Sequence, residues 1–441
     1  MHASNQPVSA APIPVLPATK SMSAPDSEQR RHRWKILGIG VLANGSFAAA
    51  FAGIPVTAIF MRAEYRLDTA SLGLALGSLG LGVAVSELPW GMLTDRWGDR
   101  RVLLCGLLAT ALALAAMALW VVPGGAGIPP MALLALGLLL VGLLGGSVNG
   151  SSGRAVMGWF QEGERGLAMS IRQTAVPAGG GLAAVVLPSL AQAYGFAAVY
   201  GFLALLCAVS ALLAWGWLHE PPVNSEAVAQ LSTLTTSALR DGKVWRMALA
   251  IGILCFPQVS VLTFATIFLH DVGHAGLTLI SSSMAAVQIG AALMRIWSGR
   301  WTDRRGNRRH YLRTCSVLSA LIFVALAVVV ARASGFDATA AAATTAMPWS
   351  PGSRVLIVVL LVAGGICASA WHGVAYTELA TLAGARQVGT ALGLGNTCVF
   401  LVFFLAAQAV PLLLRWQSWP AVWCAGAVAA LLAWPIFLKS E

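Results

Sequence analysis

Three ionisable residues stand inside long apolar segments of this chain: Glu87, Arg172 and Arg295. A charge held in hydrocarbon is expensive unless it is paired or hydrated, so each is a candidate functional group. Glu87 precedes Asp95 by eight residues, and Arg295 precedes Asp303 by eight. On a helix that spacing is about 12 Å, which reaches well into a bilayer. A guanidinium donates two parallel hydrogen bonds and suits a planar oxyanion. Arg295 is therefore a candidate anion ligand, and Arg172 a candidate to flank the same anion. A lone buried carboxyl prefers its neutral form unless a cation lies close, which makes Glu87 the candidate proton-coupling group. The alternatives are structural. Glu87 and an arginine would form a buried pair that locks helices together, and Arg172 would snorkel to the surface. Gln173, Asn149, His372 and Asn396 also lie within apolar segments and are candidates to bind substrate, His372 also to relay protons. Hydrogen bonding between helices accounts for them equally well.

Asp95 and Asp303 each belong to a basic hairpin, and the two hairpins are copies of one pattern. The first runs Gly91-Met-Leu-Thr-Asp95-Arg96-Trp-Gly98-Asp-Arg100-Arg101. The second runs Gly299-Arg-Trp-Thr-Asp303-Arg304-Arg-Gly306-Asn-Arg308-Arg309. The offset is 208 positions. A second echo, at offset 223, aligns Gly166-Leu-Ala and Gln173-Thr with Gly389-Thr-Ala and Asn396-Thr. The same offset pairs Asn149 with His372. The chain is thus an internal duplication, with Glu87 and Arg295 in equivalent places.

The elements that carry these residues are membrane helices. The 441 residues are 58% hydrophobic and 10% charged, with mean hydropathy +0.76. So little charge does not cover a soluble surface of this size. Twelve apolar segments are long enough to span a bilayer: 36–60, 71–93, 102–122, 132–153, 166–190, 195–218, 245–269, 276–299, 311–331, 354–377, 387–413 and 417–438. These are numbered spans 1 to 12. Residues 1–33 read as a disordered tail and 219–243 as a polar linker between a first unit, 34–218, and a second, 244–441. Of the Lys and Arg residues, twenty-one fall on the side of both termini and five on the other. Both termini are therefore expected in the cytoplasm. The net charge of +11 follows from that asymmetry and not from nucleic-acid binding. The seven cysteines fall within spans at spacings that suit neither zinc nor a disulfide framework.

With twelve spans and Gly-x-x-x-Asp-Arg-x-Gly-x-Arg-Arg after spans 2 and 8, the chain resembles the major facilitator superfamily. The resemblance covers everything beyond the tail. It implies an all-α integral membrane fold, with twelve transmembrane helices in two pseudo-symmetric six-helix bundles around a central cavity. It also implies secondary active transport by alternating access. In this family the motif residues, Gly91, Asp95, Arg96, Gly98, Arg100 and Arg101 with Gly299, Asp303, Arg304, Gly306, Arg308 and Arg309, serve the cytoplasmic gate. The two aspartates would meet the helix starts of spans 11 and 5. Arg295 resembles the arginine of nitrate/nitrite porters and of oxalate/formate-type carriers, but Glu87 departs from the nitrate pattern.

These readings point to proton-coupled carriage of a small organic or inorganic anion in a bacterial inner membrane. Drug/proton efflux is the alternative, since Pro177-x-x-Gly180-Gly181 resembles part of an antiporter motif. A sensor that has lost transport is the remote one. No catalytic cluster, metal set or Walker A sequence emerges, so neither an enzyme nor a cofactor is expected. The expected partners are a solute, protons and the bilayer, with the chain acting as a monomer.

Overall fold

The computed structural model describes residues 27–124, 127–219, 237–333, 349–416 and 418–437. Residues 1–26 of the expected tail and 220–236 of the expected linker lie outside these. Residues 27–33, read from the sequence as tail, are helical and lead into span 1.

The chain is all-helical among the described residues. Span 1 is Ser27–Val56, followed by a short helix, Ala58–Glu64. Spans 2, 3 and 4 are Thr69–Trp97, Asp99–Trp120 and Met131–Gly145 with Ser147–Trp159. Eleven stretches are long and apolar enough to cross a membrane, and one of them, Arg165–Trp217, has 53 residues. At about 1.5 Å per residue it would extend roughly 80 Å, far beyond a bilayer core of about 30 Å. It folds back at Gly195, where φ is 71° and ψ is −174°. That conformation is open to glycine and closed to most other residues. The reversal splits the stretch into spans 5 and 6, which makes twelve crossings. Spans 7 to 12 are Gly242–Asp271, Leu277–Arg305, Arg308–Ala333, Pro351–Ser369 with His372–Ala383, Val388–Trp416 and Trp419–Ala433.

Three spans expected as continuous are interrupted. Span 4 breaks at Gly146, span 5 at Thr174 between Arg165–Gln173 and Ala175–Trp217, and span 10 at Ala370–Trp371. The breaks in spans 4 and 10 fall at nearly equivalent positions of the repeat. Each break frees main-chain carbonyls at mid-membrane depth, which must find donors.

The first six spans pack on one another and the last six do likewise. Across the boundary, span 2 lies along span 11 and span 5 along span 8. Glycines permit the approach. A Cβ on Gly91 would sit 2.3 Å from Gly389 O, and one on Gly299 would sit 2.4 Å from Gly166 O. These are the first glycines of the two hairpin motifs, so their place in the pattern has a steric cause. Gly98 and Gly306, at φ 88° and 65°, make the turns into spans 3 and 9.

Candidate functional site

Glu87 is fully buried on span 2. Asn149 Nδ2, on span 4 of the same bundle, donates to its Oε1. Asn396 Nδ2, on span 11 of the other bundle, donates to its Oε2 at 3.2 Å. The Asn396 Oδ1 in turn accepts from Tyr376 OH of span 10 at 2.5 Å. The chain Asn149–Glu87–Asn396–Tyr376 therefore crosses the bundle boundary through the carboxylate. The sequence left open an arginine partner for Glu87. Among the described residues no ion pair to Glu87 is present, and its partners are amides.

Arg172 is buried and does not snorkel. Its Nε donates to Ser152 Oγ at 3.0 Å. Its Nη2 donates to Asn149 O and to Ser152 Oγ, both at 2.7 Å. The guanidinium thus holds span 5 to the second half of span 4. Asn149 joins both groups, its carbonyl on Arg172 and its amide on Glu87.

Arg295, equally buried, joins two helix breaks. Its Nε donates to Ser369 O, at the end of the first half of span 10, at 2.8 Å. Its Nη1 donates to Gln173 O, at the end of the first half of span 5, also at 2.8 Å. Both carbonyls stand at helix C-termini, the negative ends of helix dipoles, so the cation satisfies orphan acceptors in a favourable field. Gln173 belongs to the first bundle and Arg295 to the second. His372 Nδ1 lies 3.2 Å from Ser369 O and 3.5 Å from Arg295 Nη2. One nitrogen cannot donate to the first and accept from the second. The shorter contact favours Nδ1–H donating to Ser369 O, with Arg295 a close neighbour. The ring stacks on Trp371 at 3.9 Å.

Near the hairpins, Gly389 and Thr390 N–H donate to Asp95 Oδ1 and Oδ2 at 2.8 and 2.6 Å. Gly166 and Leu167 N–H donate to Asp303 at 3.0 and 2.8 Å. Each aspartate thus takes the free amides at the start of a helix in the opposite bundle. Arg154 lies between Asp95, at 3.4 Å, and Asp99, at 3.0 Å. Arg308 pairs with Asp303 at 3.3 Å and with Glu162 of the other bundle at 3.5 Å. Arg309 donates to Glu378 at 2.8 Å, and Arg100 to Trp215 O at 2.9 Å. Arg96, Arg101 and Arg304 are exposed and form no ion pair among the described residues.

Sequence reading did not single out Arg154, Ser152, Ser369 or Tyr376. Arg154 had counted only toward membrane orientation, and no motif spacing flagged it. Nor did it find the aromatic cluster in which Phe51 of span 1 meets Phe400 of span 11 at 5.0 Å, with Phe47 and Phe403 beside them. Phe400 lies one turn beyond Asn396, away from the hairpins. Among the described residues, every hydrogen bond and ion pair between the bundles lies at the level of Glu87 or nearer the hairpin face. The structure is closed on that face.

Comparison with known proteins agrees with this architecture. A model described as Major Facilitator Superfamily matches residues 39–339. An uncharacterized MFS-type transporter of Mycobacterium tuberculosis (strain ATCC 25618 / H37Rv) is 30% identical over 416 residues, covering 92% of this chain and 84% of the relative. The MFS-type efflux pump MFS2 of Trichophyton rubrum is 32% identical over 234 residues, 51% of this chain and 36% of that protein. Among solved structures, the proton:xylose symporter XylE bound to 6-bromo-6-deoxy-D-glucose superposes with a TM-score of 0.72 at 14% identity. The match covers 92% of this chain and 95% of that one, a likeness of fold.

Proposed function

The chain belongs to the Major Facilitator Superfamily, and on that premise we propose that it is a proton-coupled secondary active transporter of a small organic or inorganic anion, with Glu87 as the coupling group. The observation that carries this reading is the sharing of one buried carboxyl between Asn149 of one bundle and Asn396 of the other. Ionised, Glu87 accepts from both amides. Protonated, one oxygen becomes a hydroxyl that can donate, and both amides face a neutral, weaker acceptor. Proton uptake therefore alters a bond that must break whenever the bundles separate.

The anion class rests on Arg295. Its partner across the boundary, Gln173 O, is a neutral carbonyl. An anionic oxygen accepts more strongly from a guanidinium. When the hairpin face opens, Gln173 leaves with its bundle and a donor of the fork becomes available to a solute oxyanion. Arg172, Gln173, Asn149, His372 and Asn396 surround this pair of sites and are assigned to substrate recognition. Asp95, Asp303 and their arginine partners are assigned to the gate, which they hold shut through opposite helix starts. By the Lys and Arg asymmetry the hairpin face is cytoplasmic, as are both termini, in a bacterial inner membrane. Residues 34–218 and 244–441 form the moving units of a monomer, joined by 219–243.

Drug/proton antiport, exporting drugs, is the second reading. It is favoured by the aromatic cluster of Phe47, Phe51, Phe400 and Phe403, which offers an apolar wall and no anion donor. Proteoliposomes tested with radiolabelled carboxylates and oxyanions, with and without a proton gradient, separate the two. Gradient-driven accumulation of an anion supports the first reading. Accumulation of lipophilic cations alone overturns it.

A further inference from the structure

A second site lies at the hairpin-face end of the second bundle, away from the boundary. Lys243 and Arg246 of span 7, Arg309 of span 9 and Leu382 of span 10 line a solvent-open pocket, with Met247 beneath and Ile436 and Phe437 closing it beyond span 12. Three of the lining side chains are cationic. Arg309 spends its Nε on Glu378, and the Asp241 carboxylate accepts from the main-chain N–H of Lys243. Among the described residues, neither Lys243 nor Arg246 has a carboxylate partner. The pocket thus offers two uncommitted cations and part of a third, over an apolar floor.

Its place in the fold says what kind of anion fits. All of the lining residues sit at helix ends, where the apolar belt of the membrane stops. One turn deeper the surface is exposed and apolar. Leu249, on the same helical face as Arg246, is 47% exposed, and Leu432, one turn before Ile436, is 58% exposed. A free phosphate uses the cations alone, whereas a lipid also covers these leucines. Juxtamembrane cations attract anionic headgroups with an energy of useful size.

We propose that this pocket binds the phosphate of an anionic phospholipid from the adjoining leaflet, with Lys243 and Arg246 on the headgroup and the acyl chains against Leu249 and Leu432. Neither cation belongs to the transport site or the gate.

The test is native mass spectrometry of the full chain in detergent, titrated with phosphatidylglycerol or phosphatidylcholine. The wild type is expected to retain one phosphatidylglycerol in preference to phosphatidylcholine, and the preference should fall as salt rises. Each cation contributes about fivefold, so the Lys243→Gln/Arg246→Gln double variant should lose roughly thirtyfold. The charge-preserving pair Lys243→Arg/Arg246→Lys should keep the preference, which separates charge from folding. No preference in the wild type, or one unchanged in the double Gln variant, overturns the proposal. Displacement of the lipid by millimolar glycerol 3-phosphate or inorganic phosphate also overturns it, by assigning the pocket to a soluble phosphate.

Discussion

The Arg295 guanidinium donates to the main-chain carbonyl of Gln173 at 2.8 Å, and so a side chain of one bundle closes a helix break in the other. The same group closes the break in span 10 through Ser369 O. Breaking the spans exposes acceptors, and Arg295 supplies donors to two of them at once. Any movement that separates the bundles must break the first bond while the second survives.

Arg295→Lys tests this geometry. Lysine keeps the charge but replaces a planar fork with a single ammonium, which cannot reach Ser369 O and Gln173 O in the same arrangement. Transport should fall by about tenfold or more at normal expression, with weaker solute binding. Arg295→Ala should also lower thermal stability, because a buried acceptor left unpaired costs about 1–3 kcal/mol. Wild-type substrate affinity in Arg295→Lys would remove Arg295 from the site.

Asp95→Asn tests the gate. Asparagine still offers one acceptor to Gly389 or Thr390, but it loses the second, the charge and the ion pair to Arg154. A loss of about 1 kcal/mol moves the equilibrium roughly fivefold toward opening on the hairpin face. Labelling of single cysteines lining the hairpin-side cleft should rise by that factor while turnover slows. Unchanged labelling and turnover would reduce the hairpin to a signal for orientation.

Gly91→Ala provides a steric version of the same test. The new methyl meets Gly389 O at 2.3 Å in the closed form and is relieved once spans 2 and 11 part. Overpacking costs about 1–3 kcal/mol, a shift of about 5- to 150-fold toward the open form. Gly77→Ala, on the same span with nothing within 4 Å, should transport normally. Equal transport by the two variants would contradict the close approach.

Much of this was legible in the residues. The equal spacing from Glu87 to Asp95 and from Arg295 to Asp303 marked equivalent depth, because a helix converts sequence separation directly into distance. Hydropathy located the crossings, because lipid admits little else. The helix breaks were not legible. Gly146 is one glycine among many, and Ala370 and Thr174 carry no breaker chemistry, so the carbonyls of Ser369 and Gln173 that take Arg295 could not be foreseen. The partners of Glu87 were not legible either, for a related reason. Charge suggests charge as a partner, but the amides of Asn149 and Asn396 reach the carboxylate, while Arg172 turns to Ser152 Oγ and Asn149 O and Arg295 to main-chain carbonyls. Arg154 escaped notice because a basic residue at a span end is the ordinary signal of orientation. Only packing reveals that it lies between Asp95 and Asp99.

The central claim is that protonation of Glu87 couples the proton gradient to movement of the bundles. Glu87→Gln is the most direct measurement, because the amide mimics the protonated carboxyl in shape and cannot titrate. In proteoliposomes it should abolish accumulation of solute driven by a pH gradient, while exchange of internal for external solute continues at a comparable rate. Accumulation that still follows the pH gradient in Glu87→Gln would contradict the account and leave Glu87 as a structural link between Asn149 and Asn396.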